Sequence, residues 1–147
     1  MNTQIDPRQV HDLLFGDRRQ MPYSFLDLNT EIHEGVPVEA VSRLAKLVAP
    51  TKPEWIEELV ASRSTLKRHR RATKVLGPLH SERLGHLAEV WLTALDVYKD
   101  AETARMFLQR PHQLLHGRAP LEVAVESSYG ARTVQQILGR LKHGAAA

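Results

Sequence analysis

Arg63, Lys67, Arg68, Arg70, Arg71 and Lys74 crowd into residues 63–74 with no acidic residue among them, directly after a stretch carrying Glu54, Glu57 and Glu58. Cations at that density suit an anionic partner at one surface; a charge run alone is more often a solvated helix end, and it is the capped helix ahead of this one that favours the partner. The formal net charge of the whole chain is only +3, so the clustering matters more than the sum. Arginine bridges the O6 and N7 acceptors of guanine, lysine meets phosphate as a point charge, and serine or threonine hydroxyls serve either role. Arg63, Ser64, Thr65, Lys67, Arg68 and Arg71 are the candidate DNA-contacting residues.

Other chemistries find no footing. The absence of cysteine excludes disulfides, thiolate nucleophiles and cysteine-ligated metals. His112 and His116 have the i, i+4 spacing used for zinc, yet no Glu follows the first and no third ligand is evident, so they read as exposed loop histidines behind Pro111. Ser24, Ser127 and Ser128 lie in no GxSxG elbow, and no GxxxxGK loop is present. The expectation is a protein without catalytic residues, cofactor or metal site.

The elements that must position the cations are helices. Thr51-Lys52-Pro53-Glu54 has the form of a capping box, and Trp55, Ile56, Leu59 and Val60 follow it on one helix running to about Ala61. Ser62-Arg63-Ser64 reads as a turn and a new cap, so the order is helix, tight turn, basic helix, with Leu66 as the sole large apolar anchor of the second member. That is a helix-turn-helix, whose second helix lies in a major groove. Upstream, Asp6-Pro7-Arg8-Gln9 opens a short helix with Val10, Leu13 and Leu14 inward and Gly16 at its end, and residues 17–23 look like a linker. Ser24 precedes a helix with Phe25, Leu28 and Ile32, and Pro37 one with Val38, Val41, Leu44, Ala45 and Val48.

Downstream, Ser81 reads as the cap of a long helix whose Leu84, Leu87, Ala88, Trp91, Leu92, Leu95 and Tyr98 form the clearest apolar stripe in the chain; its aromatics read as core rather than as a ligand pocket. Asp100 caps a further helix around Ala104, Phe107 and Leu108, and Pro111 ends it. Pro120 starts a short apolar segment, Ser127 to Gly130 reads as a break, and from Ala131 a last helix aligns Val134, Ile137, Leu138 and Leu141 before Gly144. The fold class is all-α. The chain divides into residues 1–76, with the DNA-binding half, and residues 77–147. A content of 42% hydrophobic and 25% charged residues suits a soluble globular protein, and no apolar run reaches the about 20 residues of a membrane span. The expected location is the cytoplasm, away from any membrane.

The ordered string Ala104, Phe107, Leu108, Pro111, Leu115, Gly117, Pro120, Leu121, Gly130, Val134, Leu138, Leu141, Gly144 resembles the toxin-binding domain of the Xre/MbcA/ParS antitoxins. Where members of that family often carry Asp-Thr before the glycine matching Gly130, this chain has Ser127, Ser128 and Tyr129. The stretch from Phe25 to Lys74, especially Glu34-Gly35-Val36-Pro37-Val38 and Ser64-Thr65-Leu66, is similar to the Xre-type DNA-binding half that precedes it. The resemblance implies an antitoxin that silences a RES-type toxin, an enzyme consuming NAD or ADP-ribosylating a protein, and that binds operator DNA to regulate its own operon. It further implies that the extreme C-terminus, here Lys142, His143, Gly144, Ala145, Ala146 and Ala147, enters the toxin's cleft as a steric plug. A homodimer on a palindromic operator, within a higher toxin–antitoxin complex, is expected because one short recognition helix reads few base pairs. Two alternatives stay open from sequence: a free-standing helix-turn-helix regulator whose C-terminal half dimerises or senses a ligand, and a toxin-binding protein that has lost DNA affinity.

Overall fold

The computed structural model describes residues 5–16 and 23–144, and within them the regular structure is helical. The elements are α1 (Pro7–Phe15), α2 (Phe25–Glu34), α3 (Glu39–Val48), α4 (Pro53–Val60), α5 (Arg63–Arg71), α6 (Pro78–Tyr98), α7 (Ala101–Gln109), a 3-10 turn (Gln113–Leu115), α8 (Pro120–Glu126) and α9 (Ser128–Lys142). The all-α expectation holds. Of the expected linker at 17–23, all but Tyr23 lies outside the described residues.

Most boundaries fall where local chemistry puts them. Asp6 accepts the Arg8 amide at 2.9 Å with Pro7 at the first helical position. Ser24 and Asp27 exchange reciprocal bonds to each other's backbone. Ser62 takes the Thr65 amide at 3.2 Å, and Asp100 the Thr103 amide at 2.8 Å. Four starts differ from the sequence reading. α3 begins at Glu39 and not at Pro37, because Pro37 pairs with Val75 in an extended bridge and Val38 N donates to Lys74 O. The Thr51–Glu54 box does not form: α4 begins at Pro53, after Lys52, without a side-chain cap, and the Lys52 ammonium lies 4.3 Å from the Trp55 ring centre instead. α6 begins at Pro78, not after Ser81, because the first-turn proline sets the start. α9 begins at Ser128, with Ser127 accepting the Gly130 amide at 3.2 Å, so the break between α8 and α9 shrinks to one extended residue.

α6 is the central element, packed against α1, α2, α3, α4, α7, α8 and α9. Leu84, Leu87 and Ala88 on it are fully buried, together with Leu14, Leu44, Ile56, Leu108, Leu121 and Leu138 from the helices around it. Each such leucine stabilises the fold by roughly 2 kcal/mol before entropy is counted. Trp91 is buried and Tyr98 packs at the edge of the same core, as their spacing implied. The displaced Ser81 has a separate task inside this core: its Oγ accepts the Val36 amide at 3.0 Å and donates to the Leu76 carbonyl at 3.2 Å. Two extended segments, joined by Val38 N to Lys74 O and Leu76 N to Val36 O, thereby close around α3, α4 and α5.

Candidate functional site

α5 is nine residues long and shares no broad interface with another helix; Leu66, buried, is its anchor. The helix tolerates its own charge because Arg68, His69, Arg70 and Arg71 sit in the last turn, at the negative end of the backbone dipole. Helical phase divides the cations. Leu66 points inward, and Arg63 and Arg70 share its side, lining a cleft of about 250 Å³ with Glu54, Glu57, Glu58 and Ala61 of the preceding helix and turn. Arg70 pairs with Glu57 at 3.3 Å. Ser64, Lys67, Arg68 and Arg71 follow the i, i+3, i+4, i+7 pattern on the opposite, exposed side.

Of the six candidate contacts, these four are brought together on one face. Arg63 is exposed but turned toward the α4 carboxylates, and Thr65 is half-buried with its hydroxyl accepting from Ser62 at 2.8 Å. The open face can therefore present three cations and a hydroxyl to a polyanion.

At the other end of the chain, α9 closes with His143 N donating to Gly139 O and Gly144, at φ +77°, donating to Leu141 O. Lys142 does not trail free. Its ammonium pairs with Asp96 near the end of α6, which also takes Lys99 at 3.0 Å. The hydrogen bond from Lys142, and then that from Lys99, hold the Asp96 carboxyl below its ordinary value of 3.8. Lys142, His143 and Gly144 are exposed beside that pin, whereas Ala145, Ala146 and Ala147 lie outside the described residues. The two expected loop histidines part ways: His116 is exposed, but His112 packs its ring on Phe107 and accepts the Leu114 amide at Nδ1. Among the described residues no three His, Asp or Glu side chains gather as a metal site.

Sequence reasoning missed a set of side-chain donors that join the two ends of the fold. The Val60 carbonyl, last in α4, accepts from His80 Nδ1 at 2.9 Å and Arg83 Nη1 at 3.1 Å, both on α6. Arg105 Nε and Gln109 Nε2, on α7, each reach 2.9 Å to the Leu47 and Val48 carbonyls at the end of α3. No local signal announces such bonds, because donor and acceptor are 20 to 61 positions apart.

Comparison with known proteins is consistent with this layout. A family model described as an antitoxin Xre-like helix-turn-helix domain matches residues 27–89. A second, described as an antitoxin Xre/MbcA/ParS C-terminal toxin-binding domain, matches residues 93–144. None of the curated proteins compared matches the chain. The first match ends, and the second begins, within α6.

Proposed function

Because the chain belongs to the Xre antitoxin family, carrying its helix-turn-helix and its toxin-binding domain in one molecule, we propose that it neutralises a RES-type toxin and represses its own operon. The toxin consumes NAD or ADP-ribosylates a protein, and the antitoxin stops it sterically, without chemistry of its own. The observation that carries the DNA side is the exposed face of Ser64, Lys67, Arg68 and Arg71 on a helix free of broad packing. A helix of nine residues reads few base pairs, so two copies bind half-sites about 34 Å apart. Toxin-domain membership weighs against a free-standing regulator.

The toxin side rests on the tail. Lys142, held by Asp96, anchors its base, and His143, Gly144, Ala145, Ala146 and Ala147 are small enough beyond the histidine to enter a narrow cleft. Co-expression with the neighbouring reading frame, copurification and an NAD consumption assay test this. The expected result is a stable complex with suppressed activity. Deleting residues 143–147 should restore NAD consumption while the complex persists; unchanged neutralisation would rule out the plug, and no association would rule out the antitoxin–toxin pairing.

A further inference from the structure

The last four carbonyls of a helix lack partners within it, and a donor that satisfies them from elsewhere fixes where that helix end points. α4 is framed by two such ends. Ahead of it, the carbonyls of Leu47 and Val48 at the end of α3 take Arg105 and Gln109 of α7. At its own end, Val60 takes His80 and Arg83 of α6. A carbonyl only accepts, so His80 carries its proton on Nδ1. Two residues beyond Val60 lies Ser62, the cap of α5. α5 has no broad packing beyond Leu66; the Arg70–Glu57 pair and the Val38 N to Lys74 O bond hold its far end, and the turn at Val60–Ser62 sets where its first, base-facing residues begin.

We propose that His80, Arg83, Arg105 and Gln109 are positioning residues for operator reading: from α6 and α7 they hold the turn that aims α5, without touching DNA. The proposal rests on α5 being the DNA-reading helix. Its consequence separates two kinds of binding. Base-edge contacts need the helix held at a fixed angle, whereas phosphate contacts tolerate a swivelling helix and depend on charge alone. Loss of the four donors should therefore lower sequence discrimination and leave non-specific affinity in place. Replacement of the pair on Val60 changes no residue on the exposed face of α5.

The experiment measures full-length protein on a duplex from the region upstream of its own gene and on a scrambled duplex of the same length and composition. The proteins are unsubstituted, His80→Leu/Arg83→Met, Arg105→Met/Gln109→Leu, and the donor-keeping His80→Asn/Arg83→Lys. The expected result is a loss of about tenfold or more in operator affinity for both donor-less pairs, with scrambled affinity and salt dependence unchanged, as when base contacts are lost. His80→Asn/Arg83→Lys should recover most of the discrimination; since it also restores the Arg83 charge, it is the unchanged scrambled affinity and salt dependence of the donor-less pairs that separate positioning from charge. Should a donor-less pair not fold, as read by circular dichroism, the single Arg83→Met, which leaves His80 on Val60, should show the same selective loss at about threefold. Retained discrimination in folded donor-less protein overturns the positioning role while leaving α5 as the reader. Failure of the deeper reading looks different: the unsubstituted protein would not discriminate, and Arg68→Ala/Arg71→Ala would change neither affinity.

Discussion

Single atoms decide the packing of the C-terminal helices. A Cβ on Gly130 would lie 2.0 Å from the Val123 carbonyl oxygen, backbone against backbone, so α8 and α9 meet only because that residue has no side chain. Gly130→Ala should lower the unfolding free energy by about 3 kcal/mol or more in urea titration, the upper range for overpacking. Gly139, on the same helix with nothing within 4 Å of an added Cβ, gives the control: Gly139→Ala should stabilise by up to about 1 kcal/mol through helix propensity. Equal effects would mean that the α8–α9 approach is looser than these distances. His86 offers a second test. Its Nε2 is buried without a hydrogen bond, 3.7 Å from Glu82, in the wall where α6 faces Phe25, Leu28, Ile32 and His33 of α2, with Glu89 and Arg83 alongside on α6 and Glu126 across the neighbouring groove. Burial holds the imidazole below its ordinary value of 6.5, with Glu82 opposing. The folded state thus binds the proton less readily than the unfolded one, and the contribution to stability, present above that value, is lost as pH falls through the folded one. Burial also pushes the Glu89 carboxyl up, so its protonation favours the folded state at lower pH, in the native protein and a His86 variant alike. Between about pH 7.5 and 5.5 the melting temperature should fall more steeply for the native chain than for His86→Gln; parallel curves would remove His86 from the account.

At the scale of elements, local chemistry was a good guide to existence and a poorer one to starts. Asp6, Ser24, Ser62 and Asp100 cap where their types suggest, because a helix start is a contest among a few neighbouring donors and acceptors. Ser81 was misread because a serine before an apolar stripe has the same local pattern whether it caps the helix or serves a distant backbone group. Its actual partner, Val36, is 45 positions away and fully buried. Ser81→Ala should leave that amide without an acceptor and cost about 2 kcal/mol, read from chemical unfolding; a cost near zero would show that the amide finds another partner. Gly130 was read as a turn residue for a related reason, since its true constraint is the neighbouring helix. The candidate site divides the same way. A basic run behind a cap is visible in the chain, so α5 and its cations were legible. Which of them face outward was not, because it depends on Leu66 packing inward, which puts Arg63 and Arg70 beside the α4 carboxylates, and on Glu57 pairing with Arg70.

For the molecule as a whole, the question is whether its excess of +3 or the placement of a few cations governs attraction to DNA. Net charge acts at long range and is screened over about 8 Å at physiological ionic strength, whereas a cation seated on a phosphate releases a counterion and writes itself into the salt dependence. The two ideas separate cleanly. If placement governs, Arg68→Ala/Arg71→Ala should make the slope of log affinity against log salt shallower by roughly 2 per bound copy. Arg132→Ala/Arg140→Ala removes the same charge from exposed positions on α9, far along the chain from α5, and should leave that slope unchanged. If net charge governs, both pairs should lower affinity alike. The toxin complex supplies an internal standard, because α5 belongs to the helix-turn-helix match and α7 to α9 to the toxin-binding one. Copurification with the toxin should therefore survive Arg68→Ala/Arg71→Ala intact. A loss of toxin binding in that variant would place α5 within the protein interface and make DNA and toxin competitors for one surface.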